Sequence, residues 1–365
     1  MRASVLAIVL IIVACSSSSS PAAQSSPSMT VTPSPAALKG ELPVWIQEPS
    51  SNGQLVFAGG FLHFPGGAFR RDPHADMVSD AKTPGLMRTP DQPYLYAYGS
   101  PTTVVTLTYD RVLGRWLPVN RAQVSDDGLR YAYVDHELGA ATSQRIHVVD
   151  VRTGSDQVVY RDTNNPLYAV VGLVQQNVYV TSCQPTETGG NCWGPLRRLD
   201  VTTGNIATVS DRRGRWVVSG RIGWTVTCWP AKYPVPCFGI YDEREPNQLL
   251  RVDLATGNEE IWGRGSGIDL IGMDSDGAPL ITVGGTGECR VVRASAPEQT
   301  EPISSLPINH TVGCGFRSAT ADRIGIWIQV EYVPSGATAG IYLYSKASGT
   351  RKISDSQYVP VGSFE

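Results

Sequence analysis

Cysteine is the residue type with the clearest chemistry in this sequence. The chain has seven cysteines, and one of them, Cys15, follows an apolar segment near the N-terminus. The other six form an even set, which in an exported chain is typical of disulfide bonds. Proximity along the chain predicts the pairs Cys183–Cys192, Cys228–Cys237 and Cys289–Cys314. A set of this size allows many other connectivities, so the pairing depends on proximity and on the fold.

Metal-binding and catalytic patterns are weak by comparison. Each local cysteine pair is separated by eight residues, whereas zinc-binding pairs are usually separated by about two to four. The histidines have no metal-binding spacing: His63, His74, His136, His147 and His310. The sequence lacks a His-Glu-x-x-His motif and a Gly-x-Ser-x-Gly nucleophile elbow. Asp274 and Asp276 match part of a calcium loop, but the other ligands are missing and a β-turn is predicted. We therefore predict no catalytic residue, no metal and no cofactor.

The candidate ligand-binding residues lie beside the two local cysteine pairs. They are aromatic side chains within or directly after these pairs: Trp193, Trp229, Tyr233 and Phe238. A covalently closed loop loses less entropy when a ligand orders it, and rigid aromatic surface suits protein or carbohydrate contacts. The alternative is that these rings fill small cores of their own loops.

The N-terminus has the pattern of an export signal. Arg2 precedes the nine-residue apolar run Val5 to Val13, which as a helix would span about 14 Å, roughly half of a bilayer core. The run therefore predicts a signal-peptide core and not a transmembrane helix. The segment Ile12-Val13-Ala14-Cys15 resembles a bacterial lipobox, and this resemblance implies cleavage before Cys15 and acylation of its thiol. Ordinary cleavage of a secreted protein, with Cys15 unmodified, is the alternative.

Composition after this signal changes to that of a tether. Residues 16 to 38 contain no charged side chain and are rich in Ser, Pro and Ala, so they bury too little apolar surface to offset their ordering entropy. We predict a signal peptide at 1–14, a lipid-modified flexible tether at 15–40 and a folded domain at 41–365. Cys15 would hold the protein in the lipid bilayer, on the extracytoplasmic face of a bacterial cell membrane. The net charge of −3 provides no field that would attract a nucleic acid.

A turn pattern recurs every 40 to 53 residues in the folded region. Its clearest copies share an acidic residue and a glycine four positions later: Asp110 and Gly114, Asp150 and Gly154, Asp200 and Gly204, Asp253 and Gly257. Glycine reverses a hairpin at positive φ without steric cost. Each repeat carries about four strand-like runs, and no stretch predicts a long amphipathic helix.

This repeat predicts an all-β fold, a six-bladed β-propeller of four-stranded antiparallel blades. The predicted blades are 53–119, 120–161, 162–211, 212–264, 265–305 and 306–361. The C-terminal strand, near Tyr358 to Val361, would pair into the first blade, or an early strand near Val44 to Gln47 would join the last one. A seventh blade, built from residues 41 to 70 with the C-terminus, is the alternative count. Two β-sandwiches or a β-solenoid are the other all-β possibilities.

One blade carries a family resemblance. Val124 to Tyr133 reads Val-Ser-Asp-Asp-Gly-Leu-Arg-Tyr-Ala-Tyr and resembles the Ser-Pro-Asp-Gly turn and aromatic strand of TolB-like and WD-repeat-like bacterial propellers. Met273 to Gly277 is a second, poorer copy. The resemblance covers residues 53 to 361 loosely and implies the fold but little about activity. Asp126 stands where proline is usual, and the predicted disulfides and lipid anchor also depart from the family, so its cellular role is not carried over.

Loop topology then places a candidate site on one face. Loops that join second and third strands lie opposite the glycine turns, and residues 72–92, 183–193 and 229–248 are predicted to be such loops. We predict a monomeric, non-catalytic binding or scaffolding module that recognises a protein or a glycan of the cell envelope. The alternative is a propeller enzyme, a polysaccharide lyase or glycoside hydrolase, with its active site at the central channel.

Overall fold

The computed structural model describes most of the folded region. The described residues are 38–49, 55–76, 78–79, 86–89, 92–97, 107–137, 143–163, 167–183, 192–227, 247–265, 267–285, 288–306, 316–330, 339–355 and 358–365. The predicted signal peptide, Cys15 and nearly all of the predicted tether lie outside these ranges. Within them the chain forms 28 β-strands, 3₁₀ turns at Pro73–Ala75 and Arg121–Gln123, and no α-helix. No helix in this described part is long and apolar enough to cross a membrane.

Sheet A joins the two ends of the folded region. It contains β1 (Gly40–Pro49), β2 (Leu55–Phe64), β3 (Ala68–Asp72) and β28 (Val359–Pro360) in the order β28-β1-β2-β3. β1 pairs with β2 on one edge and with β28 on the other. The backbone N–H of Glu365 donates to the Glu41 carbonyl at 3.1 Å, which extends this contact. The C-terminal strand therefore pairs with β1 and shares a sheet with β1 to β3, whereas the predicted closure placed it in a first blade that began at residue 53.

The next part of the chain forms two small sheets. Sheet B contains β4 (Val78–Ser79), β5 (Leu86–Thr89) and β6 (Gln92–Ala97), and sheet C contains β7 (Thr108–Asp110) and β8 (Arg115–Leu117). The predicted first blade at 53–119 is therefore wrong, because β2 and β3 pair with β1 and not with the strands that follow. The predicted loop at 72–92 is also wrong, since it contains β4 and β5.

Three further antiparallel sheets follow the predicted repeat. Sheet D contains β9 (Arg130–Glu137), β10 (Ser143–Asp150) and β11 (Asp156–Asp162). Sheet E contains β12 (Leu167–Val174), β13 (Asn177–Cys183), β14 (Gly194–Asp200) and β15 (Ile206–Gly214). Sheet F contains β16 (Val217–Ser219), β17 (Ile222–Thr227), β18 (Asn247–Asp253) and β19 (Glu259–Gly265).

Sheet G has two four-stranded halves. Half G1 contains β20 (Asp269–Met273), β21 (Pro279–Gly285), β22 (Glu288–Ala296) and β23 (Gln299–Leu306). Half G2 contains β24 (Phe316–Asp322), β25 (Gly325–Val330), β26 (Gly340–Ser345) and β27 (Gly349–Ser354). The halves are joined by parallel pairing of β20 with β24, where Gly272 lies opposite Ala319. A Cβ atom on Gly272 would lie 1.8 Å from the Ala319 carbonyl oxygen, so this approach requires glycine.

The recurring turns form as predicted. In sheet D the Asp150 carboxylate accepts from the Thr153 N–H at 2.7 Å, and Gly154 adopts a φ of 70°. The Asp200 and Asp253 carboxylates accept the equivalent bonds from Thr203 and Thr256. Each aspartate thus satisfies backbone donors that the reversal would otherwise leave unpaired.

An apolar cluster fills each junction between neighbouring sheets. Representative pairs, taken in order around the molecule, are Phe61 with Trp116 (A and C), Leu117 with Tyr131 (C and D), Val134 with Val170 (D and E), Leu196 with Val218 (E and F), Trp224 with Leu270 (F and G1), Val291 with Ile328 (G1 and G2), and Trp327 with Leu62 (G2 and A). Burial of one such side chain contributes about 1.5–3 kcal/mol. The last cluster returns to the first sheet, so the sheets form a closed ring and the fold is a β-propeller.

Candidate functional site

The structure describes one of the four predicted ligand-binding residues. Trp193 is half-buried, and it precedes the first residue of β14. Trp229, Tyr233 and Phe238 lie outside the described residues, in the segment between β17 and β18. The site prediction for these three residues therefore stays a prediction.

The disulfide predicted between Cys183 and Cys192 is present. Cys183 is the last residue of β13, and its side chain packs with Leu167 and Ala169 of the neighbouring strand. The bond therefore closes the connection between the second and third strands of sheet E. Cys289 in β22 is also disulfide-bonded, whereas Cys228, Cys237 and Cys314 lie outside the described residues.

Sheet D carries a cluster of titratable side chains that we call the D cluster. Its members project from three adjacent strands toward sheet C: Tyr133, Asp135, Arg145, His147 and Asp156. Strand register brings them together, because His147 lies opposite Tyr133 and Arg145 lies opposite Asp135. A register shift after Ile146 sets the pairing of β10 with β11.

His147 lies at the centre of this cluster. Its Nδ1 is 2.8 Å from Asp156 Oδ1, and its ring stacks on Tyr133 with centroids 4.5 Å apart. The Tyr133 hydroxyl donates to the other Asp156 oxygen at 2.8 Å. His147 Nε2 lies 3.9 Å from Asp135 Oδ2, and this nitrogen is buried and has no hydrogen-bond partner among the described residues. The imidazole is therefore oriented by one carboxylate and faces a second.

Burial and hydrogen bonding set the protonation of the cluster. Burial acts to raise the pKa of the Asp156 carboxyl, but hydrogen bonds from His147 and Tyr133 outweigh it, so the pKa is lowered. Burial, followed by the charge of Asp156, raises the pKa of the Tyr133 hydroxyl. Asp135 is nearly inaccessible and accepts from Arg145 Nε at 2.9 Å. At neutral pH we therefore expect the Tyr133 hydroxyl to be protonated and the Asp156 carboxyl to be ionised.

A pocket of about 400 Å³ opens at the end of sheet D beside this cluster. The described residues that line it all have polar side chains: Ser143, Gln144, Arg145, Arg161, Asp162 and Thr163. Arg145 belongs both to the pocket and to the D cluster, because its guanidinium group pairs with Asp135. The pocket thus lies at the start of β10 and the end of β11, opposite the Gly154 turn.

The pocket is connected to the disulfide-bearing end of sheet E. Gln144 Oε1 accepts from the Tyr168 backbone N–H at 2.7 Å, and Tyr168 lies opposite Ser182, next to Cys183. On the same side the Tyr160 hydroxyl donates to Asp162 at 3.1 Å. Burial and this carboxylate raise the pKa of Tyr160 to about 12. The pocket and the Cys183–Cys192 bond therefore share one end of two adjacent sheets.

The turn predicted around Asp274 is confirmed. The Asp274 carboxylate accepts from the Asp276 and Ala278 backbone N–H groups at 2.8 and 3.1 Å, and it pairs with Arg293. Its oxygens thus serve the turn and an ion pair. Among the residues that the structure describes, no group of three or more His, Cys, Asp or Glu side chains is arranged to hold a metal ion.

The D cluster and its pocket are the functional candidates that sequence reasoning missed. The sequence placed His147 and Asp135 in or beside predicted strands but contained no short motif that joined them. The Gly154 turn was the available signal, because a hairpin centred there brings the strand that contains His147 beside the one that begins at Asp156. The neighbouring Arg145–Asp135 contact depends in addition on the register of β9 with β10.

The fold places the chain in the class of β-propellers, and comparisons with known proteins bear only on that fold. No family model matches the sequence, and no curated protein matches it. An oligogalacturonate lyase from Vibrio parahaemolyticus is 10% identical with a TM-score of 0.46, over 85% of this chain and 100% of that one. TolB from Acinetobacter baumannii is 11% identical with a TM-score of 0.41, over 89% of this chain and 67% of that one.

A third solved structure is the β-propeller domain of the Trilobed protease from Pyrococcus furiosus. It is 10% identical to this chain with a TM-score of 0.37, over 89% of this chain and 95% of that domain. The closed ring of sheets and junction clusters is the basis for the propeller assignment, and these similarities add no functional assignment to it.

Proposed function

We propose that the chain is a non-catalytic binding or scaffolding propeller, held by a lipid on Cys15 at the extracytoplasmic face of a bacterial cell membrane. It acts as a monomer and recognises a protein or a glycan of the cell envelope. The observation that carries this proposal is the polar pocket at the end of sheet D, beside the disulfide-closed connection of sheet E. Polar groups that converge in a concave site fix the orientation of a ligand and provide specificity. The aromatic residues Trp193, Trp229, Tyr233 and Phe238 add contact surface in this proposal.

The proposed ring has seven blades. Sheets A, D, E and F supply one each, B and C together supply one, and G1 and G2 supply the last two. The support is the order of the junction clusters, in which each of these units packs on the next and G2 packs on A. This count follows the alternative in which the N-terminal strands and the C-terminus share a blade. An experimental structure with six radial units would contradict it.

Retention on purified cell-wall glycan tests the binding function. The mature chain is passed over immobilised peptidoglycan and envelope polysaccharides, and bound protein is quantified. The double variant W229A/Y233A should lose retention, because its large rigid contact area is removed. The control is V112A, a change at a residue that is 93% exposed beside the Gly114 turn. Undiminished retention of the double variant would contradict the assignment of these aromatic residues.

Fractionation tests the membrane attachment. With Cys15 intact, the protein should remain with membranes and show the mass of an acylated mature N-terminus. The C15S variant should be released or remain uncleaved, because serine offers no thiol for acylation. A soluble wild-type protein that carries an unmodified cysteine would contradict lipid anchoring.

An acid–base enzyme is the second candidate function, and the D cluster favours it. The 2.8 Å contact of His147 with Asp156 would fix the imidazole tautomer, and Nε2, which is buried, would serve as a general base only where substrate binding exposes it. The proposed substrate is an envelope polysaccharide, acted on by lyase or hydrolase chemistry. Product formation that disappears in H147Q but persists in H74Q, a change at an exposed histidine, would establish this alternative. Absence of turnover on a polysaccharide panel would favour the binding function.

A further inference from the structure

The pocket contains an electrostatic feature that the fold alone does not require. Arg145 and Arg161 lie directly opposite one another in the antiparallel pair of β10 with β11. Side chains in such a position share one face of the sheet, and like charges placed there repel and destabilise the pair. A neutral or acidic residue at position 161 would remove this repulsion, whereas Arg145 also balances the charge of Asp135.

The two arginines differ in what surrounds them. Arg145 is pinned by Asp135, whose side chain is only 6% exposed, through its Nε and Nη2 atoms. Arg161 is exposed, and no side-chain hydrogen bond or ion pair joins it to another residue of the described part. One guanidinium group is therefore held in position at the pocket, and the second brings a positive charge that is not ion-paired with any described side chain, although the Asp162 carboxylate lines the same pocket.

The other described residues that line the pocket carry groups that can hydrogen-bond to the hydroxyls of a ligand. Ser143 and Thr163 provide hydroxyls, Gln144 an amide and Asp162 a carboxylate. No aliphatic or aromatic side chain is among these described lining residues, so recognition there depends on hydrogen bonds and charge. A pocket of about 400 Å³ falls within the usual range for small-molecule sites, roughly 300–1,000 Å³.

We propose that this pocket binds a saccharide that carries an anionic group, with the anion between Arg145 and Arg161 and the sugar hydroxyls on the remaining polar side chains. The proposal rests on the binding function proposed above and names its ligand class. Guanidinium groups favour oxyanions because their N–H donors match two oxygens at once. Asp135 acts as a positioning residue, since it holds Arg145 in place before the ligand arrives.

NMR titration of the mature full-length chain tests the proposal with four probes. Glucuronate supplies a carboxylate, glucose 6-phosphate a phosphate, glucose no charge, and triglutamate carboxylates without a sugar. We expect saturable binding of one or both anionic sugars, weakened by added salt, and none of glucose or triglutamate at the same concentrations. Which anionic sugar binds more tightly distinguishes carboxylate from phosphate ligands, and either result supports the proposal.

The R161Q variant should weaken anionic-sugar binding by about tenfold or more, because a charge-assisted hydrogen bond is lost. The matched control is R152Q, a change at an exposed arginine in the Gly154 turn at the opposite end of the same two strands. Equal binding by R161Q and wild type would overturn the proposal, as would binding of glucose or triglutamate as tight as that of glucuronate, or no binding of either anionic sugar.

These outcomes separate the two levels of the argument. If wild type is retained on envelope glycan but binds no anionic sugar in this pocket, the ligand assignment fails and the binding function stands. If wild type is retained on no glycan or protein while the anionic sugars still bind, the proposed envelope role fails and the pocket stands.

Discussion

Removing the Phe364 ring should destabilise the whole propeller, although it lies one residue from the C-terminus. Phe364 is 5% exposed, and its ring centroid is 5.7 Å from those of Phe64 and Trp327. It sits in the junction cluster between sheet A and half G2. Its backbone N–H also donates to Asp322 at 2.8 Å. The Phe364 side chain therefore links sheet A to half G2, where the ring of sheets closes.

The magnitude follows from the cost of a large-to-small change in a core. Replacing a buried phenylalanine with alanine costs about 3–5 kcal/mol. We expect the lower end for F364A, about 3 kcal/mol, because the end of the chain can relax into part of the space. Domains are stable by roughly 5–15 kcal/mol in total, so this loss is a large fraction of the whole.

Urea unfolding followed by tryptophan fluorescence measures the effect. Trp327 packs against the Phe364 side chain, and Trp116 lies in the cluster between sheets A and C. The fluorescence therefore reports on both junctions of sheet A. V112A serves as the control, because Val112 is 93% exposed. F364A should unfold at clearly lower urea in one transition. Equal midpoints for F364A and V112A, or an early transition that leaves most of the fluorescence change intact, would refute the idea that closure stabilises the entire ring.

Three other predictions concern the turns, the sheet junction and the disulfide. Hydrogen bonds from backbone N–H groups and threonine hydroxyls lower the pKa of three turn carboxyls: Asp150, Asp200 and Asp253. A carboxyl whose pKa is lowered by folding stabilises the fold above its unfolded pKa, and this contribution disappears as pH falls through the folded value. The triple Asp-to-Asn variant should therefore lose less stability than wild type when urea midpoints are compared between neutral and acidic pH, and parallel losses would contradict this. G272A should lower the thermal midpoint strongly, because a Cβ there meets the Ala319 carbonyl, whereas G66A, where nothing lies within 4 Å, should not. The C183S/C192S double variant should lose about 2–3 kcal/mol in urea unfolding, and a midpoint equal to that of wild type would show that the bond adds nothing.

The repeat predicted much of the fold because its physical basis is local. The Asp-to-Gly turns are specified by a few adjacent residues, and Gly154, Gly204 and Gly257 adopt the positive φ that their pattern predicted. The first blade was assigned wrongly because β1 was left out of it, although β1 and β2 form a local antiparallel hairpin. β1 and β28 are separated by nearly the whole chain, and no short pattern gives the register of such a contact.

The candidate site shows the same division. The Cys183–Cys192 bond spans nine positions and was predicted from proximity. The D cluster depends on the register of three strands, and His147 and Asp135 are twelve positions apart in the sequence. A one-residue slip in either hairpin would place the histidine on the opposite face. Residue types alone therefore could not reveal it, whereas the structure does.

The position of β1 between two other strands of sheet A affects how the domain resists a pulling force. Tension applied through the residues before Gly40 would load a strand bonded along both edges, to β2 over ten residue pairs and to β28 at Val44 and Trp45. Extracting that strand means breaking two ladders at once, whereas an outermost strand has a single ladder to lose. With the anchor proposed at Cys15, a pulling force would reach the domain first at β1. The pairing of β1 with β2 and β28 would then resist extraction of that strand.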